Sequence, residues 1–239
     1  IFYYSRYGGE IMKYFPIFLD VVQKPIAVVG GGEAAVAKLR LLLKTEAKIT
    51  VYDPAPSAQI QSWEQDGLLK TWNGPLTLDQ ACQAQLIYAA SEDDSCDLQT
   101  QKVAQSAGTL FNWVDNLQQS QFITPAIVDR DPVTLAIGTE GAAPVVARAI
   151  KRHMEERLPQ NLGALARIGQ TFRSLAQALP LGRIRRDFWS SYYFSKGPGA
   201  YAARGAQGAS QALHELLAEY QDTRAKQGHV DFVGAGPGD

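Results

Sequence analysis

Cysteine, methionine and histidine are scarce in this chain of 239 residues, which holds two, two and three of them. Cys82 and Cys96 form no Cys-x-x-Cys pair. Neither a disulfide framework nor a thiolate zinc site is expected, and a reducing, cytoplasmic setting is the default. His153, His214 and His229 are scattered, so no resident metal site is expected from them. A surplus of one charge is missing too. With 23 basic and 24 acidic residues the net charge is -1, which argues against a nucleic-acid binder but leaves room for a local basic pocket. No apolar run approaches the ~20 residues that span a bilayer, and mean hydropathy is -0.17, so no membrane partner is expected. What is present is ordinary: 46% hydrophobic against 20% charged residues, enough for a real core at this length. Residues 1–11 lack the basic-then-apolar shape of a signal peptide. They read as a leader or an artificial extension, with the native start at Met12.

Short apolar runs alternate with amphipathic stretches from Ile26 to about Leu110. Ile26-Ala27-Val28-Val29 has the continuous apolar character of a strand buried on both faces of a parallel sheet. A helix follows through Ala35, Leu39 and Leu43. Lys48 to Tyr52, Leu68 to Thr71, Leu86 to Ala89 and Leu110 to Val114 predict further strands, with a helix over Asp93 to Ala107. Such alternation implies an α/β fold with a doubly wound parallel sheet and right-handed crossovers. Beyond Thr124-Pro125 the pattern changes. Ala126–Asp129 and Val133–Ile137 predict two short strands joined through Arg130-Asp131-Pro132. Helices are then expected over Val145–Arg157, Leu162–Ala178, Ile184–Phe194 and Ala206–Arg224. Pro159, Pro180-Leu181-Gly182 and Gly197-Pro198-Gly199 are read as the punctuation between them.

Gly30-Gly31-Gly32-Glu33-Ala34-Ala35 fits Gly-x-Gly-x-x-Ala between a buried strand and a helix. Glycine at Gly30 permits the tight turn, glycine at Gly32 lets backbone approach a pyrophosphate, and Ala35 allows helix to pack on strand. Free N–H groups and the positive end of the helix would receive the phosphates. Asp53 ends the second strand, roughly 20 residues on, where a carboxylate can bind both ribose hydroxyls and would repel a 2′-phosphate. NAD is therefore favoured over NADP. The expected cofactor contacts are Gly30, Gly32, Glu33, Ala34, Asp53, Pro54, Ala55 and Ser91. Glu33 is an odd neighbour for a pyrophosphate and is read as a ribose ligand or a helix cap.

Longer stretches carry a resemblance. Phe15 to Leu19, Val28 to Arg40, Ala89 to Asp94, Phe111 to Asp115, Phe122 to Arg130 and Gly141 to Arg148 resemble the opening module of the siroheme synthase family, a precorrin-2 dehydrogenase and sirohydrochlorin ferrochelatase. Val230 to Asp239 is similar to the first strand and glycine loop of that family's methyltransferase domain. On this resemblance the chain divides into 1–11, a Rossmann-like NAD-binding domain over 12–124, a small β/α dimerisation segment over 125–160, an all-helical module over 161–227, and the start of a truncated methyltransferase domain over 228–239. Two departures stand out. Thr139-Glu140-Gly141 replaces a Ser-Gly-Gly run, and Ala143 stands for the serine before Pro144.

The resemblance implies NAD-dependent oxidation of precorrin-2 to sirohydrochlorin, then insertion of Fe2+, a substrate, to give siroheme. It implies Asp115 as the catalytic carboxylate and a homodimer. A carboxylate suits both steps, because each releases protons from the tetrapyrrole. Precorrin-2 and sirohydrochlorin are polyanions, so Arg130, Arg148, Lys151 and Arg152 are candidate substrate cations. A solvated helix face is the alternative reading for these four, and a turn cap is the alternative for Asp115. Arg183, Arg185 and Arg186 read as a solvated group, and Trp189, Tyr192, Tyr193 and Phe194 as core or subunit contact. Two other functions are weighed: a generic NAD-dependent dehydrogenase acting on a small alcohol or acid, and a non-catalytic NAD-binding regulatory module.

Overall fold

A computed structural model of the chain describes residues 12–226. The readings placed on 1–11 and 228–239 lie outside the described residues. Those described fall into two units. The first runs to Thr124 and takes in Glu140–Ala142; the second holds Pro125–Thr139 and the chain from Ala143 onward.

Five parallel strands form the centre of the first unit: β1 (Pro25–Val29), β2 (Lys48–Tyr52), β3 (Lys70–Trp72), β4 (Leu86–Ala89) and β5 (Leu110–Trp113), in the order β3-β2-β1-β4-β5. Strand order reverses at β1, and the adjacent carboxyl ends of β1 and β4 mark the switch point of such a sheet. The apolar runs become strands because both faces are covered. On one face α1 (Glu33–Leu42) and α2 (Ala58–Gln65) bring Ala35, Val36, Leu39 and Ile60 onto Ile26, Val28, Val51 and Tyr88. On the other, α3 (Leu78–Gln83) and α4 (Asp94–Ala107) bring Ala81 and Ala104 onto Ala27, Val29, Ile87 and Phe111. The doubly wound fold expected from the alternation is the fold observed. One strand is displaced: β3 starts at Lys70 rather than Leu68. The Leu68 amide instead donates to the Trp63 carbonyl at 2.9 Å, closing the end of α2, and so has no donor left for the ladder.

Glu140, one of the sequence departures, has a structural task. Its Oε1 accepts from the backbone amides of Lys13 at 2.8 Å and Tyr14 at 3.3 Å. This carboxylate therefore anchors the segment ahead of β1.

In the second unit β6 (Ala126–Arg130) and β7 (Val133–Ile137) form an antiparallel pair, followed by α5 (Pro144–Arg157). The helical remainder is α6 (Leu162–Phe172), a 3-10 turn at Leu175–Ala178, α7 (Arg183–Ser191), a π-helical turn at Tyr192–Lys196 and α8 (Gly197–Lys226). Leu165, Phe172, Phe188, Tyr192, Leu213 and Leu216 are its core. Three sequence expectations shift here. The helix from Leu162 breaks after Phe172, and the next ends at Ser191 rather than Phe194. Gly197-Pro198-Gly199 opens α8 instead of interrupting it, because proline near a helix start loses no hydrogen bond it could have made. The real interruption is at Arg204-Gly205, where Gly205 has φ +59°. Of the aromatic stripe, Tyr192 is fully buried with Trp189 and Tyr193 packed around it, whereas Phe194 is exposed.

Leu39 is completely buried between α1 and the sheet. Leu39→Ala is expected to destabilise the first unit by about 2–5 kcal/mol, read as lost hydrogen-exchange protection of the β1 amides.

Candidate dinucleotide and acid site

All five strands of the first unit are parallel, so their carboxyl ends share one edge. The glycine turn leaves β1, Asp53 follows β2, Ser91 follows β4 and Asp115 follows β5. Residues far apart in sequence thus reach one rim, where open α/β sheets bind ligands.

Packing at the turn explains the three glycines. Gly30 has φ +116°, and a side chain on it would run into the Ala90 carbonyl and Ser91 backbone. A β-carbon on Gly31 would lie 2.7 Å from Pro56 Cα and 2.8 Å from Asp53 Cγ. One on Gly32 would lie 2.7 Å from Glu92 Oε1. The turn is therefore walled by the loops after β2 and β4. Gly30 N–H donates to the Tyr52 carbonyl at 3.0 Å, and Ser57 N–H donates to the Gly31 carbonyl at 3.0 Å.

The N-terminus of α1 opens beside this turn. Gly32 is its N-cap and supplies no side chain, and the first helical bond runs from Val36 N–H to the Gly32 carbonyl. Amides ahead of Val36 have no partner within the helix, the property that receives an anion. Ala34 N–H donates to Glu92 Oε1 at 2.9 Å. Gly32, the N-cap residue, brings no side chain to this end of α1, and the Glu92 carboxylate from the β4 loop joins Glu33 at the first turn.

Asp53 stands where the sequence puts it, with Oδ1 accepting from Ala55 N–H at 2.7 Å. That bond fixes the Asp53-Pro54-Ala55 turn beside Gly31. Ser91 is oriented inward. Its amide and hydroxyl both donate to Asp97 Oδ1, at 3.1 and 2.7 Å. Asp97 is buried, and desolvation pushes its carboxyl above the usual value while the Ser91 donors pull the other way. The Ser91 hydroxyl is thus committed to the loop, and what Ser91 offers a ligand at this rim is position rather than a free hydroxyl.

Asp115 is exposed at the tip of β5 with φ +64°, a left-handed conformation uncommon outside glycine and asparagine. Strain of this kind collects at ligand sites. Lys38, on α1, is its electrostatic neighbour. Burial pulls the Lys38 ammonium below the usual lysine value, and the negative charge of Asp115 opposes that fall. Sequence reading missed Lys38, because nothing in a helix-forming stretch shows which side chain faces a strand tip some 80 residues later.

The four candidate cations belong to the second unit, and one has another role there. Arg130 donates to the Asp129, Glu155 and Leu158 carbonyls, with 2.8 Å to Glu155. Its guanidinium closes the last turn of α5, so its donors are engaged by backbone. Arg148, Lys151 and Arg152 lie on one face of α5 by their i, i+3, i+4 spacing. Arg148 and Arg152 are exposed, and Lys151 pairs with Glu155 at 3.6 Å. Arg185 is likewise no solvated charge, since it donates to the Leu179 and Gln177 carbonyls.

Comparison with known proteins adds to this geometry. Residues 17–126 match a family described as "Putative NAD(P)-binding", and residues 161–217 match the sirohaem synthase dimerisation region. Siroheme synthase 1 of Aeromonas hydrophila is 35% identical over 95% of this chain and 49% of its own length. Siroheme synthase of Zymomonas mobilis is 38% identical over 95% of this chain and 48% of its own. The chain spans about half the length of the curated relatives it matches. Among solved structures, SirC, a precorrin-2 dehydrogenase, shares the fold at a TM-score of 0.61 and 21% identity, over 87% of this chain and all of its own.

Asp115→Asn removes the charge that holds Lys38 up. The Lys38 titration is expected to move to lower pH in that variant, followed by NMR of the lysine side chain; a shift upward or none contradicts the coupling.

Proposed function

The chain corresponds to the N-terminal module of the siroheme synthases, and from that premise we propose that it oxidises precorrin-2 to sirohydrochlorin with NAD and then inserts ferrous iron. One observation carries the reading: a glycine turn fit for a dinucleotide and an unhindered carboxylate, Asp115, lie on the same carboxyl edge of one parallel sheet. The fit of a dinucleotide rests on the bare Gly32 cap, the α1 amides and the Asp53 carboxylate beside Gly31. When bound, NAD accepts the hydride. The residues do the rest.

Oxidation removes a hydride and a proton from the tetrapyrrole, and the Asp115 carboxylate takes the proton. Lys38 is the electrostatic neighbour of that carboxylate, whose negative charge favours the ammonium form of the lysine. In the second step Fe2+ enters as two pyrrole protons leave, and an exposed carboxylate can pass them to water one at a time. Arg148, Lys151 and Arg152 are proposed to meet the substrate carboxylates. Asp53 is proposed to favour NAD, since a 2′-phosphate beside its carboxylate meets like charge. A homodimer is supported by the match to a dimerisation region and by the apolar surface of α5, where Val145 is 72% and Val146 50% exposed. A second copy would cover these side chains and the β6–β7 pair.

Asp115→Ala is expected to keep NAD binding while losing most precorrin-2 oxidation, followed by visible absorbance of the tetrapyrrole; wild-type turnover would remove Asp115 from the mechanism. NAD binding by the unaltered chain with an unchanging tetrapyrrole spectrum would instead support a regulatory module. Sedimentation is expected to show a dimer at micromolar concentration, and a stable monomer would contradict the assembly.

A further inference from the structure

The carboxylate of Glu92 occupies the position at α1 that an incoming phosphate would need. Its Oε1 accepts from Ala34 N–H at 2.9 Å and lies against Gly32, where a β-carbon would come within 2.7 Å. Those are the features assigned above to the dinucleotide cradle: the bare N-cap and the first free amides of the helix. An ionised side chain there satisfies an unpaired donor and the positive helix end in the absence of any ligand.

The loop forces this placement. Ser91, immediately before, is tied by amide and hydroxyl to the buried Asp97. Asp93, immediately after, caps α4 by accepting from Ser95 N–H at 2.8 Å and Cys96 N–H at 3.4 Å. Between these two anchors Glu92 has φ +62°, a conformation glycine would adopt without strain. A strained residue that aims a charge at a ligand cradle is poised rather than incidental.

We infer that Glu92 is a displaceable internal anion, which holds the α1 N-terminus in the free protein and must yield to the dinucleotide pyrophosphate. This rests on the NAD-binding reading and deepens it, because the residue sets how tightly the same site binds. Two negative groups cannot share one amide and one helix end without repulsion. The swing of Glu92 away from Ala34 therefore subtracts from dinucleotide affinity.

Glu92→Gln keeps an acceptor of the same length and removes the charge. In the full chain it is expected to bind NAD about fivefold more tightly by calorimetry, the scale of one charge at a helix end. Glu92→Gly, which also relieves the left-handed backbone, is expected to tighten binding likewise and covers a poorly folding amide variant. Asp94→Asn serves as the control for overall charge, since Asp94 is exposed on α4. Unchanged or weaker binding in both Glu92 variants overturns the inference, as does equal tightening in the Asp94 control. If the unaltered chain binds no NAD at all, the dinucleotide reading itself fails, and that outcome is distinct from binding without tightening.

Discussion

Space at the turn after β1 is the constraint on which the rest depends. The β1 carboxyl end is held so close to the loops after β2 and β4 that Gly30, Gly31 and Gly32 can carry no side chain without meeting Ala90, Asp53 or Glu92. That closeness follows from β1 being central, paired with β2 on one side and β4 on the other. It brings two carboxylates and a helix N-terminus within a few ångströms of one backbone turn. The same bareness that fits a dinucleotide also lets the protein's own acids fill the space.

Electrostatics at this rim is a balance between like charges. Asp53, Glu92 and Glu33 are all acidic, and the positive contributions come from the α1 amides and, further along that helix, from Lys38. A cofactor with a pyrophosphate and no further phosphate is the kind of anion that such a rim can tolerate. Lys38 has the opposite role. Partly buried, it stands against Asp115 at the strand tip where proton chemistry is proposed. One helix thus reaches two points of the rim, its first amides beside the glycine turn and its next turn toward Asp115.

The departures from the family pattern take on meaning in three dimensions. Glu140 replaces a glycine of the resembled motif, yet its carboxylate is turned to the amides of Lys13 and Tyr14. Arg130 sits in a stretch that resembles the family and looked like a ligand cation, but it closes the end of α5. In both cases the charged group is satisfied by backbone. Backbone carbonyls and amides are invisible partners in a sequence, because every residue has them and only the fold says which are left over.

Strand identity, the glycine turn, the acid after β2 and the acid after β5 were all legible from residue order. The first three depend on local pattern, apolar runs for strands buried on two faces, glycine for a turn under steric pressure and aspartate at a strand end, whereas Asp115 was singled out through the family resemblance of its surrounding stretch. Helix breaks in the second unit were less legible, since Gly and Pro both start and stop helices, and the packing of Tyr192 against Gly197 and the left-handed backbone of Gly205 decided which. Lys38 facing Asp115, Glu92 on Ala34 and Asp97 beneath Ser91 were decided by tertiary structure alone. The reason is physical: the Lys38–Asp115 and Glu92–Ala34 contacts join stretches far apart in sequence that only the parallel order of the sheet lines up on one edge, and the Ser91–Asp97 contact depends on how the loop after β4 turns into α4.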